Sequence, residues 1–202
     1  SENQAEIQKV AELHPDSLDY LDVYERHGLL TDRTVFGHCL HLSESEIARM
    51  ADAGGKVAFC PSSNLFLGSG LLEVEKLRTS GVDVGIASDV GGGTSLSLLR
   101  TLADAFKVCQ LCGYSLSAMD AFAMVTLGNA ELLGLEHLIG NLEKGKEADM
   151  VLLQAQPDTI MGRRLRLAES VEEEMFIYIT MGDEAVVAET IINGVTMERG
   201  SA

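Results

Sequence analysis

Ile86-Ala-Ser-Asp-Val-Gly-Gly-Gly-Thr-Ser95 is the stretch on which the reading of this chain turns. Val82 to Ala87 is a continuous apolar run. It stops at Ser88-Asp89, and three glycines follow before a helix-like segment opens at Ser95. A short unbroken apolar run is what a strand buried on both faces of a parallel sheet requires. A carboxylate at the end of such a strand, followed by residues without side chains, is left open to a ligand or a metal. Val35-Phe-Gly-His38 repeats the arrangement with a histidine. In a parallel barrel the C-terminal strand ends share one open face, where catalysis takes place. Asp89 and His38 are therefore expected to meet in space.

Outward from these two stretches, strand and helix signals alternate. Ser1-Glu-Asn-Gln4 reads as a capping box, with Ser1 as N-cap and Gln4 reaching back. Ile7, Val10, Ala11 and Leu13 then follow helical spacing until His14-Pro15. Leu18, Leu21, Val23 and Tyr24 predict a second helix, closed by His27-Gly28. Thr34 to Cys39 is strand-like, and Ser43-Glu-Ser-Glu46 is another capping box opening a helix to about Ala53. Lys56 to Cys60 is strand-like and leads into Pro61-Ser-Ser-Asn64, read as a loop; Leu71 to Thr79 is helical. Val82 to Ala87 is the next strand, and Ser95 to about Leu111 a long helix. This alternation predicts an α/β chain with a parallel sheet. The pattern changes after Cys112. Ser115 to Leu127 and Asn129 to Leu133 are helical, and the polar stretch Asn141 to Asp149 leads to a strand at Met150 to Leu153. A less regular acidic stretch contains Glu172-Glu-Glu174, and Val186 to Met197 alternates around Asn193-Gly194, a strong hairpin signal.

The 202 residues, 46 % apolar and 23 % charged, suit an ordinary globular domain. A net charge of −16 repels nucleic-acid backbones and anionic membranes, so neither is expected as a partner. No apolar run reaches the roughly 18–20 residues of a membrane helix. The opening Ser-Glu-Asn-Gln carries no secretory signal and no Met, and reads as if cut from something longer. Of the four cysteines, Cys39 and Cys60 sit at strand ends and read as small buried hydrophobes. Cys109 and Cys112 form a CxxC without the further ligands a zinc site needs. Near the end of a helical run they read as two helix-face thiols rather than a redox pair. With no disulfide framework, a reducing cytoplasm is the expected compartment.

Ser1-Glu-Asn3, Gly37-His38, Phe59-Cys-Pro-Ser-Ser-Asn-Leu65, Ser88-Asp-Val-Gly-Gly-Gly-Thr-Ser95, Thr126-Leu-Gly128 and Gly140 to Asp149 together resemble the amidohydrolase superfamily, over nearly the whole chain. The last segment is widespread in the superfamily. The opening Ser-Glu-Asn, the Cys-Pro-Ser-Ser-Asn-Leu stretch and the Asp-Val-Gly-Gly-Gly loop are more specific, and are similar to the guanine deaminase family. The resemblance implies a distorted (β/α)8, TIM-like barrel carrying one divalent metal, usually zinc, and a small β-sandwich built from both chain ends. Matched to it, residues 1–140 would be the second half of the barrel, and residues 141–202 the C-terminal segment with sandwich strands. The family's fifth strand ends His-x-x-Glu; the Glu is Glu2, and the His would precede Ser1. The His-x-His of the first strand is absent. Of the family's four metal ligands only the eighth-strand aspartate matches, at Asp89. His38 matches the sixth-strand histidine, a second metal candidate that orients hydroxide or substrate more than it binds the ion.

The implied reaction is hydrolytic deamination of guanine to xanthine and ammonia. Water is a poor nucleophile, and a bound zinc brings its pKa to about 7. Asp89 would take the water's proton. Glu2 would protonate a ring nitrogen and then the leaving amine, a role typically contributing ~10²–10⁴-fold. Each residue also has an ordinary use: Asp89 as a turn-former or N-cap, His38 as a core histidine, Glu2 as an acid in a helix's first turn. Another amidohydrolase acting on an aminated heterocycle or a chlorinated triazine, and a non-catalytic module keeping the fold, are the other readings. His14, His27, His41 and His137 read as structural or surface groups. Ser62, Ser63 and Asn64 either line the pocket or stabilise their loop. Gly91 to Gly93 match neither common nucleotide fingerprint. The small-molecule partner implied is a purine. A half-barrel leaves strand edges open, so self-association as a homo-oligomer is expected, with weak zinc binding and no deaminase activity in the isolated chain.

Overall fold

A computed structural model describes residues 1–197. The chain opens with helices α1 (Gln4–Leu13) and α2 (Tyr20–Arg26), then enters strand β1 (Val35–Gly37). Helix α3 (Glu44–Asp52) leads to β2 (Lys56–Phe59), and helices α4 (Pro61–Leu67) and α5 (Val74–Thr79) lead to β3 (Val84–Ile86). The three strands form a parallel sheet in the order β1-β2-β3, as the alternating pattern requires. The register pairs Gly37 with Ala58 and Phe59 with Ile86, so all three strands finish at the same end of the sheet. Helices α6 (Leu98–Leu111), α7 (Ala118–Val125) and α8 (Leu127–Leu133) follow. In α6, Thr101, Leu102, Ala105, Val108 and Cys109 are buried, the spacing of one helical face. That face joins Met50, Val57, Phe59 and Ile86 in the main core.

The remaining chain runs through β4 (Met150–Leu153), α9 (Ile160–Leu165), α10 (Val171–Met181), β5 (Val187–Ile192) and β6 (Val195–Thr196). Strands β4, β5 and β6 form a separate antiparallel sheet. Its last turn is the Asn193-Gly194 hairpin, with both residues at positive φ (47° and 78°), as a type I′ turn demands. Among the described residues, no helix is long and apolar enough to cross a membrane.

Three local readings are corrected. The first helix is capped by Asn3, whose side chain accepts the Glu6 N–H at 2.9 Å, and the Ser1/Gln4 box does not form. Ser1 is instead tied to the segment after β1, its carbonyl accepting the Leu40 N–H at 3.0 Å. Pro61-Ser-Ser-Asn64 is the first turn of α4, not a loop; Pro61 stands at the first helical position, where its missing N–H costs nothing. The acidic stretch is the helix α10, with Ser170 capping the Glu173 N–H at 3.2 Å and three glutamates favourably placed at the positive end of the helix dipole. Its periodicity is hidden because α10 contacts both α6 and α7, so apolar residues spread round the helix; Phe176 meets Phe106 edge to face.

The outer edge of β3 is closed by a side chain. Asn129 of α8 accepts the Ile86 N–H at 3.1 Å and donates to the Ile86 carbonyl at 2.9 Å, imitating a strand neighbour. A Cβ on Gly85 would lie 2.2 Å from Asn129 Oδ1, so only glycine admits the amide. Asn129→Leu is expected to lower unfolding free energy by about 1–3 kcal/mol through the unpaired Ile86 groups. Gly85→Ala should also destabilise, and the double variant by less than the sum, because both disturb one contact. Urea denaturation of the four proteins checks this; strict additivity would contradict it.

Candidate active site

Where the parallel strands end, the chain leaves the sheet abruptly. His38 follows Gly37 at φ 66°, Cys39 at φ 53°, and Asp89, three residues past Ile86, at φ 48°. Left-handed backbone is uncommon outside glycine, though Asn, Asp and His tolerate it best. Such strain clusters where a fold must aim a side chain. The sequence expectation that His38 and Asp89 meet is met: His38 Nε2 lies 3.8 Å from Asp89 Oδ2. Glu2 joins them, its Oε2 3.9 Å from the same nitrogen.

Helix α4 holds two of these groups. His38 Nδ1 lies 2.8 Å from Asn64 Oδ1, and Ser69, just past the helix, donates its hydroxyl to Glu2 Oε1 at 2.8 Å. Ser62 points the other way, donating to Asp104 of α6 at 2.9 Å, so it fastens α4 to the core. Ser63 packs beneath the glycine loop. A Cβ on Gly92 would fall 2.6 Å from Ser63 Oγ and 3.3 Å from Asp89 Oδ2, and one on Gly93 1.9 Å from the Ser88 carbonyl. The glycines allow the loop to close over α4 beside Asp89.

Cys60 is the neighbour that sequence reading missed. It is buried, as expected, yet its sulfur lies within 4.8 Å of donor atoms of His38 and Asp89. The available signal was its position: it ends β2 as His38 ends β1. Burial, reinforced by the Asp89 carboxylate, pushes its thiol up to about 11. The sulfur instead donates weakly to the Ala58 carbonyl, 3.4 Å away. The other histidines lie elsewhere. His14, His27 and His137 are exposed, and His41 is half-buried beside Tyr20 and Glu46. Cys109 is buried on α6, and Cys112 caps that helix.

An imidazole nitrogen and a carboxylate oxygen are ordinary ligands for a divalent metal. With bonds of about 2.0–2.2 Å, two such ligands of a tetrahedral zinc stand roughly 3.3 Å apart. The observed separation of 3.8 Å is within a small side-chain adjustment, so the residues fit the ion. The second carboxylate, Glu2, accepts a hydrogen bond from Ser69 on one oxygen and has its other oxygen 3.9 Å from His38 Nε2.

Residues 1–197 match the amidohydrolase family. The chain belongs to that family. Similarity to this amidohydrolase chain extends along nearly all of it. The guanine deaminase of Escherichia coli strain K12 is 44 % identical over 193 residues, which cover 96 % of this chain and 44 % of that protein. The E. coli guanine deaminase structure superposes with a TM-score of 0.95 at 42 % identity, over 99 % of this chain and 47 % of that one. Guanine deaminase from C. acetobutylicum, solved with guanine bound in its active site, gives 0.85 at 28 % identity, over 98 % and 47 % of the two chains. An adenosine deaminase from Xanthomonas campestris with bound zinc gives 0.83 at 25 %, over 96 % and 43 %. The chain thus spans less than half the length of each of these relatives.

The buried thiols provide a test of the packing. Burial also pushes Cys39 and Cys109 up to about 11, and the thiolate is the reactive form. In the folded chain at pH 8, Cys39, Cys60 and Cys109 are expected to react with a disulfide reagent far more slowly than after unfolding in guanidinium. Fast native labelling of Cys60, located by peptide mass mapping, would contradict the packing described.

Proposed function

We propose that this chain carries part of the active site of a zinc-dependent guanine deaminase, a hydrolase acting on the C–N bond of a cyclic amidine. The observation that carries the reading is the convergence of Glu2, His38 and Asp89, drawn from three places in the sequence, within 3.9 Å of one ring nitrogen. Supporting it is the similarity to proteins described as guanine deaminases, at 44 % identity for one of them. In this reading β1, β2 and β3 are the sixth to eighth strands of a (β/α)8 barrel within residues 1–140. Residues 141–202 then supply strands β4, β5 and β6 to a small β-sandwich. In this reading the other half of the barrel and the remaining metal ligands would come from residues not among these 202.

Asp89 would hold the metal, with His38 beside it. When bound, the ion lowers the pKa of an attacking water to about 7. Asp89 accepts the proton that water gives up. His38 Nε2, between two carboxylates, orients the incoming oxygen. Glu2, entering protonated, delivers its proton to a guanine ring nitrogen as the ring carbon becomes tetrahedral. It then takes up the hydroxyl proton on that carbon and passes it to the departing amine, so that the carbonyl forms and ammonia leaves. The proton held by Asp89 then returns to Glu2. Ser69, donating to Glu2 Oε1, directs the other oxygen toward the reaction space. Among the described residues no strand covers the outer edge of β1, and such an edge invites pairing, hence the proposed homo-oligomer. Four free cysteines suit a reducing cytoplasm.

By itself the 202-residue chain is expected to bind zinc weakly and to leave guanine unchanged, because Asp89 and His38 are too few ligands for a closed site. In a protein that includes the missing ligands, Glu2→Gln and Asp89→Asn should each reduce guanine turnover ~10²–10⁴-fold with smaller changes in KM. The assay is xanthine formation, with adenine, cytosine and S-adenosylhomocysteine as competing substrates. Full turnover in Glu2→Gln, or preference for another substrate, would overturn the reading.

A further inference from the structure

The contact behind His38 decides which of its nitrogens faces the site. Asn64 Oδ1 lies 2.8 Å from His38 Nδ1, and the other ring nitrogen faces Glu2 and Asp89 at 3.9 and 3.8 Å. An amide oxygen can only accept a hydrogen bond, so this contact requires a hydrogen on Nδ1. A neutral ring then has its lone pair on Nε2, where a metal, a water or a substrate proton would meet it. A hydrogen bond to one nitrogen sets the state of the other in this way at many histidine ligands.

Asn64 is built for little else. It is only 1 % exposed, and its amide nitrogen is buried with no hydrogen-bond partner among the described residues. Leaving a buried donor unpaired costs stability, about 1–3 kcal/mol in general. A leucine of similar size would avoid that cost. The backbone that carries the side chain is fixed on both sides. The Asn64 N–H donates to the Cys60 carbonyl at 3.0 Å, and the Asn64 carbonyl accepts from Ser69 at 2.9 Å. His38 is equally constrained by its left-handed backbone and by its N–H, which donates to Ala58 at 3.0 Å.

We propose that Asn64 is a positioning residue that holds His38 as the Nδ1–H tautomer and presents the Nε2 lone pair to Glu2 and Asp89. The consequence for catalysis rests on the deaminase reading; the tautomer itself does not. The chemistry of the pair is an oxygen acceptor against Nδ1, so Asn64→Asp preserves the device and Asn64→Leu removes it.

The test is a long-range proton–nitrogen correlation spectrum of the 202-residue chain labelled with ¹⁵N-histidine, without added metal, under conditions where the ring is neutral. His38→Gln identifies the His38 signals among the five histidines. The expected wild-type pattern has Nδ1 protonated and Nε2 bare. Asn64→Leu should lose that pattern in favour of the hydrogen on Nε2, where the carboxylates attract it, while Asn64→Asp keeps a hydrogen on Nδ1. A wild-type ring with its hydrogen on Nε2 overturns the proposal even if Asn64→Leu does not fold, and so does a folded Asn64→Leu chain that retains the wild-type pattern. Absence of guanine turnover in any larger protein would leave these spectra unchanged, so the two readings fail separately.

Discussion

The parallel pairing of β1, β2 and β3 is the constraint from which the site follows. Its register aligns Gly37, Ala58 and Gly85, so the residues just beyond the strands emerge together. The ladder continues slightly past the strands, through His38 N–H to Ala58 and Ala87 N–H to Phe59, at 3.0 and 2.9 Å. Those bonds hold the exits of the strands rigidly before the backbone turns left-handed. A slip of one residue would turn every strand side chain to the opposite face and scatter the exits. The closed edge at Ile86, paired to the Asn129 amide, protects the same register from the other side.

The second determinant is a buried polar segment. Three consecutive residues of α4, Ser62, Ser63 and Asn64, are each at most 3 % exposed, an unusual location for polar side chains. They are used in three directions: Ser62 toward Asp104 of α6, Ser63 beneath Gly92, and Asn64 toward His38. Ser69, at the exit of the same helix, orients Glu2. The glycine loop after β3 must approach this segment closely, so the absence of a Cβ at Gly92 and Gly93 serves the same arrangement. Helix α4 is therefore a support on which groups from Glu2, His38 and Asp89 are brought to one point. Buried polar groups of this sort are costly when only partly satisfied, and the Asn64 amide nitrogen has no hydrogen-bond partner among the described residues.

Much of this was readable in advance where a local rule acts alone. The Ser43–Glu46 capping box formed as its pattern requires, with both reciprocal bonds present. The Asn193-Gly194 turn followed from the positive φ both positions must adopt. The buried strands were recognisable because a sheet covered on both faces needs unbroken apolar runs. Where two rules competed, the residues were ambiguous. Asn3, not Ser1, caps the first helix because the helix begins at Gln4, directly after Asn3, while the Ser1 carbonyl pairs with Leu40 of a distant segment. Helix α10 lacked a clean apolar stripe because it is packed on two sides, by α6 and α7. Pro61 suggested a loop, although the same residue is compatible with a helix start.

From the sequence by itself came the strand–helix alternation, the parallel sheet, and the candidacy of His38 and Asp89, since each depends on residue type and near neighbours. Glu2 could be proposed only by resemblance, because an acid near a helix start has an ordinary electrostatic use. The tertiary structure alone decided that Cys60 borders the same space, that Asn64 stands behind His38, and that Ser69 restrains Glu2. Those relations join residues far apart along the chain, and no local pattern of hydrophobicity or turn chemistry carries them. They arise when strands in register deliver their ends to one side and a helix is packed directly beneath.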